Sequence, residues 1–90
     1  MPNQEKSQIL IIEDDLDNQE MLKAFFKPKD LQIIAYEDAE SALRDLREGN
    51  IHCQVAITDI KLPNISGIEF TKMVKELGID LPIILMTAHT

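Results

Sequence analysis

Apolar residues along this chain fall into two kinds of pattern. Short apolar runs, with at most one polar interruption, come at 9–12, 31–36, 55–57 and 83–86. They are too short for helices and rich in β-branched residues, which predicts strands buried on both faces of a parallel sheet. Between them lie stretches with helical spacing: Met21, Leu22, Phe25 and Phe26, then Ala39, Ala42, Leu43 and Leu46, then Phe70, Met73, Val74 and Leu77. Each forms one apolar stripe, of the kind a helix turns toward a core. The punctuation agrees. Pro28 stops the first helix, and Gly49 and Gly78 end the second and third. Ser66 with Glu69 reads as a capping box, and Asp17 with Glu20 as an acidic variant of one. Glu37 and Asp38 open the second helix, and Pro82 stands at the start of the fourth strand, where a missing N–H is tolerated. The order β-α-β-α-β-α-β builds a parallel sheet with helices on both faces. The chain reads as one domain, 1–90, with polar residues 1–7 as a flexible tail.

Two of these strands run into acid. The first leads to Glu13, Asp14 and Asp15, and the third ends at Asp59, followed by a loop with Pro63 and the helix start at Ser66. In open parallel sheets the carboxyl edge of the strands is where ligands bind. Alone, Asp59 is a turn residue like many others. With the first and third strands as neighbours, Asp14, Asp15 and Asp59 meet at one edge. Like charges a few ångströms apart repel, and one of them tends to hold a proton. A divalent cation removes the conflict, and hard oxygen ligands with open water positions suit Mg²⁺. Asp59 is then placed to attack phosphorus and form an acyl phosphate, a transfer that needs positioning and charge neutralisation above all. Thr87, ending the fourth strand, lies beside the same edge with a hydroxyl for a phosphoryl oxygen.

Composition narrows the partners. The 90 residues are 44% hydrophobic and 28% charged, a folded rather than a disordered balance. A net charge of −7 argues against direct binding to nucleic acid or an anionic membrane. The single cysteine, Cys53, excludes an intrachain disulfide, and with only His52 beside it no four-ligand metal site forms, so it reads as structural. His52 itself reads as surface. No apolar run approaches membrane-spanning length, and a cytoplasmic location is the simplest expectation.

The segments ILIIEDD (9–15), AITDIKLPNISG (56–67) and IILMTA (83–88) occur in order, on the expected strands, with helices between. In this the chain resembles the receiver domain of two-component response regulators. The resemblance implies a flavodoxin-like doubly wound α/β sheet of strand order 2-1-3-4, a fifth strand and helix belonging to the family but falling beyond the end of this sequence. It implies Asp59 as phosphoacceptor, Asp15 as a direct Mg²⁺ ligand, Asp14 acting mostly through water, and the backbone carbonyl of Lys61 as a further ligand. It makes Thr87 the switch hydroxyl and Ala88 the small residue that leaves access to the phosphoryl group, with Pro63 and Gly67 shaping the loop. Glu13 is expected to be structural. The side chains of Lys61 and His89 flank the path of an attacking water and read as solvated surface.

The family's phosphate-pairing lysine and aromatic switch residue lie in the fifth unit, and no residue here matches them. The expectation is therefore either a shortened receiver or a chain that completes its sheet with a second copy, through the exposed fourth strand or by domain swapping. Two functions stay open. One is a regulatory phosphoacceptor, not a turnover enzyme, served by a sensor histidine kinase or phosphotransfer protein. The other is a truncated receiver acting as an interaction or dimerisation module. An aspartyl-phosphate phosphatase would place a second Asp where Lys61 stands, and a dinucleotide-binding fold would need a glycine-rich turn after the first strand.

Overall fold

The computed structural model describes residues 7–87. Its elements are β1 (Gln8–Ile12), α1 (Leu16–Phe26), a 3₁₀ turn (Lys27–Lys29), β2 (Gln32–Tyr36), α2 (Ala39–Arg47), β3 (Val55–Asp59), α3 (Gly67–Glu76) and β4 (Ile83–Met86). The strands form one four-stranded parallel sheet in the order β2-β1-β3-β4. The expected α/β class and strand order are both present. β1 lies inside the sheet, and Leu10, Ile11 and Ile12 are fully buried.

Alternation along the strands divides the apolar side chains between two cores. On one face Leu10, Ile12 and Ala56 pack with Ala39, Ala42 and Leu46 of α2 and Phe70 and Val74 of α3. On the other, Ile9, Ile11 and Ile57 meet Leu22 and Phe26 of α1. Helices therefore cover both faces, as the alternation predicted. Among the described residues no helix is long and apolar enough to cross a membrane.

Each helix begins at an acid or hydroxyl that satisfies orphan N–H groups. Asp38 accepts from the Ser41 N–H at 2.7 Å. Ser66 and Glu69 form both halves of the expected capping box. On α1 the cap is Asp15, which accepts from the N–H groups of Asp17 and Asn18, rather than the expected Asp17.

The apolar stripes are narrower than the sequence suggested. On α1, Met21 and Phe25 are 66% and 60% exposed. Among the described residues α1 is the single helix on its face of the sheet, so no neighbouring helix covers its flanks. Phe25 instead packs edge-on against Phe26, ring centroids 5.0 Å apart, beneath the Lys29 ammonium at 4.3 Å. The residue of α1 that is buried is polar: Gln19. On α3, Phe70 and Val74 are buried while Met73 and Leu77 stay exposed at the edge of the stripe.

Candidate functional site

Because β1 and β3 are neighbours in parallel register, with Ile12 opposite Thr58, the residues that follow them emerge together at the carboxyl edge. Glu13 and Asp14 leave β1 there, and Asp59 is the last residue of β3. Carboxylate oxygens of Glu13, Asp14 and Asp59 all lie within 4.8 Å of one another. Glu13 is buried, Asp59 half-buried and Asp14 exposed, so the group grades from the protein interior to solvent.

Hydrogen bonds orient this group. The Lys61 N–H donates to Asp59 Oδ1 at 3.2 Å. The Asp15 N–H donates to Glu13 Oε2 at 3.1 Å. Burial pushes the Glu13 carboxyl above its ordinary value, and the charges of Asp59 and Asp14 push the same way against the Asp15 N–H. Three carboxylates of which one resists ionisation form a donor set deficient in positive charge, and all of its atoms are hard oxygens. That set fits a Mg²⁺-sized cation, which takes carboxylates and keeps open positions for water or phosphate oxygen.

The loop behind Asp59 is shaped by one close approach. A Cβ on Gly67 would overlap the Asp59 backbone carbonyl, while the Gly67 N–H donates to Ile60 O at 2.9 Å. Only glycine lets α3 start this close to the end of β3. Asn64, with φ of 68°, supplies the left-handed residue that turns the chain back.

A cleft of about 180 Å³ opens over Glu13 and Asp59, lined also by Asn18, Met21, Leu22, Met86 and Thr87. Thr87 thus stands at the same cleft as Asp59. A larger concavity of about 500 Å³, lined in part by Gln8, Gln32, Asn50 and His52, opens at the other end of the strands and has no carboxylate in its lining. The chemistry favours the smaller one. His52 is exposed, and Cys53 packs half-buried against the main core with its thiol pushed up by burial, both as expected.

Asp14 and Asp59 come together, but Asp15 stands outside the group: its Oδ1 caps α1, 2.9 Å from the Asp17 N and 3.3 Å from the Asn18 N. The place expected for a second aspartate is taken by Glu13, which the sequence reading set aside as structural. The signal was available. An Asp directly before Leu16 is a helix N-cap, and assigning it there shifts the acid pair one residue toward the strand. The side chain of Lys61 is exposed on the loop after Asp59. Ala88 and His89 lie outside the described residues.

The chain matches the response regulator receiver domain over residues 9–90, and it belongs to that family. It is 30% identical over 87 residues to the response regulator protein TmoT of Ectopseudomonas mendocina, covering 97% of this chain and 39% of that protein. It is 29% identical over 84 residues to nodulation protein W of Bradyrhizobium diazoefficiens, covering 93% and 36%. The chain spans less than half the length of these relatives. Among solved structures, FixJ-N superposes with a TM-score of 0.83 at 22% identity, covering 96% of this chain and 67% of that one. The response regulator TrrA of Thermotoga maritima, in complex with Mg²⁺–BeF, superposes with a TM-score of 0.83 at 30% identity, covering 93% and 71%. The protein is thus a flavodoxin-like receiver domain of the two-component regulatory class, and its relatives include named response regulators.

Proposed function

We propose that this receiver is a phosphoacceptor, and that Asp59 takes a phosphoryl group from a phosphohistidine on a sensor histidine kinase or phosphotransfer protein. The observation that carries this is the convergence of Glu13, Asp14 and Asp59 within 4.8 Å at a cleft that also bears Thr87. Glu13, Asp14 and Asp59 would hold Mg²⁺, with the Lys61 carbonyl as a further ligand. The bound ion would neutralise the charge of an incoming phosphoryl group.

The residues of the chain do the rest. The Lys61 N–H fixes Oδ1 of Asp59, which leaves Oδ2 as the attacking atom. The P–Oδ2 bond forms as the P–N bond of the donor breaks, and the electron pair returns to the imidazole. Met21, Leu22 and Met86 give the cleft an apolar wall beside the acids. Thr87 donates its hydroxyl to a phosphoryl oxygen, so that modification of Asp59 biases the segment after β4 and alters affinity for an output partner. In this reading Asp15 is a helix cap, and Asp14 rather than Asp15 would help to hold the metal.

Intact-mass spectra after incubation with Mg²⁺ and acetyl phosphate test the proposal. A phosphoryl adduct on the parent, absent with chelator and absent from Asp59→Asn, is the expected result. A folded parent that takes no adduct contradicts it and leaves the chain as a receiver used for protein contact.

A further inference from the structure

Gln19 is the buried residue of α1, 5% exposed, in a helix whose apolar side chains are less covered than it is. A buried side-chain amide is unfavourable unless its polar atoms are bonded. The Gln19 Nε2 donates to the Glu13 carbonyl at 2.8 Å and to the Tyr36 carbonyl at 3.1 Å. Both partners are acceptors only, which fixes the nitrogen end of the amide toward them. Tyr36 O also accepts from the Glu13 N–H at 3.0 Å, so the amide completes the last rung between β1 and β2. The Gln19 backbone N–H meanwhile donates to the Asp15 carbonyl at 3.0 Å. One residue therefore grips the chain on both sides of Asp14, holding the Glu13 carbonyl with its side chain and the Asp15 carbonyl with its backbone.

We propose that Gln19 is a positioning residue for the divalent-cation site. By clamping the backbone of 13–15 against the ends of β1 and β2, it sets where the Glu13 and Asp14 carboxylates meet Asp59. This rests on the reading of that group as a cation site. The backbone clip itself is independent of any ion. Partners that orient metal ligands without touching the metal commonly change its affinity by about 10- to 100-fold when lost.

Two measurements test it, with Mg²⁺ as the probe. In the parent, NMR should find the Gln19 side-chain amide protons protected from solvent exchange. They should shift during a Mg²⁺ titration with the same dissociation constant as the Asp59 backbone amide. Fast exchange, or a silent Gln19 while Asp59 responds, overturns the proposal. In the second arm, Gln19→Met keeps the length and removes the donor, while Phe26→Leu loosens α1 against the same sheet face without touching the clip. Mg²⁺ should bind Gln19→Met about tenfold more weakly. Phe26→Leu should lower the melting temperature with its affinity within about twofold of the parent. Parent-like affinity in folded Gln19→Met, or an equal loss in Phe26→Leu, reduces Gln19 to a stability residue. If Gln19→Met does not fold, the parent titration decides alone. A parent in which no resonance responds to Mg²⁺ overturns the cation reading itself, and that outcome is distinct from a silent Gln19 beside a responding Asp59.

Discussion

Three consecutive acids, Glu13, Asp14 and Asp15, divide between two tasks within a single turn of chain. Glu13 and Asp14 join Asp59, while Asp15 caps α1. Their substitutions should separate accordingly. Asp15→Ala is expected to lower stability by about 1 kcal/mol, as lost N-caps do, and to leave Mg²⁺ affinity close to that of the parent. Asp14→Asn should do the opposite, weakening Mg²⁺ binding with little change in the denaturation midpoint, since Asp14 is exposed. Chemical denaturation beside calorimetric Mg²⁺ titration reads both. Glu13 adds a pH signature. Its carboxyl is raised above the ordinary value of 4.5, chiefly by burial, so the folded state holds that proton more tightly than the unfolded state. The metal-free protein should therefore be fully stabilised by this group below the ordinary value and lose the contribution as pH rises through the raised one. Mg²⁺ competes with the same proton, so its affinity should climb across that window. Glu13→Gln should flatten both slopes in pH-resolved thermal melts. At this scale the sequence was legible for the placing of Asp14, Asp59 and Thr87 at one edge, which follows from the strand ends. It did not set Asp15, the helix cap, apart from Glu13 and Asp14, because charge alone does not distinguish a cap from a cluster member. Gln19 was not legible, since a lone glutamine on a helix carries no pattern until the sheet beneath it is known.

At the scale of elements, the strand–loop–helix unit from β3 to α3 carries Asp59, the proposed acceptor. Its tightest point is Gly67, where any Cβ meets the Asp59 backbone. Gly67→Ala is expected to destabilise by about 1–3 kcal/mol, the range for overpacking where backbone must shift. It should also slow phosphoryl uptake, because the relief displaces Asp59 itself. A denaturation curve and an adduct time course on the same variant check both effects. A variant that is less stable but takes phosphoryl at the parent rate would place the strain elsewhere. The elements were well marked by their punctuation: Asp38, the Ser66–Glu69 box, Gly49 and Gly78 bound helices where the structure has them. The faces of α1 and α3 were less well marked. Spacing finds a stripe, but the width that becomes buried depends on neighbours, and among the described residues none covers Met21, Phe25, Met73 and Leu77.

For the whole molecule, alternation of strand and helix was sufficient to give the parallel sheet, and the acidic strand ends placed the site at its carboxyl edge. The net charge of −7 concentrates part of its repulsion at that edge, where Glu13, Asp14 and Asp59 converge. On the proposed function, this edge serves to place a phosphoryl group on Asp59. The most direct measurement is chemical trapping of the site. The protein is treated with Mg²⁺ and acetyl phosphate, reduced with borohydride, which converts an aspartyl phosphate to homoserine, and mapped by peptide mass spectrometry. Homoserine at position 59, dependent on Mg²⁺ and on the phosphodonor, is the predicted result. Modification at Asp14, Asp15 or another carboxylate with Asp59 untouched would contradict it.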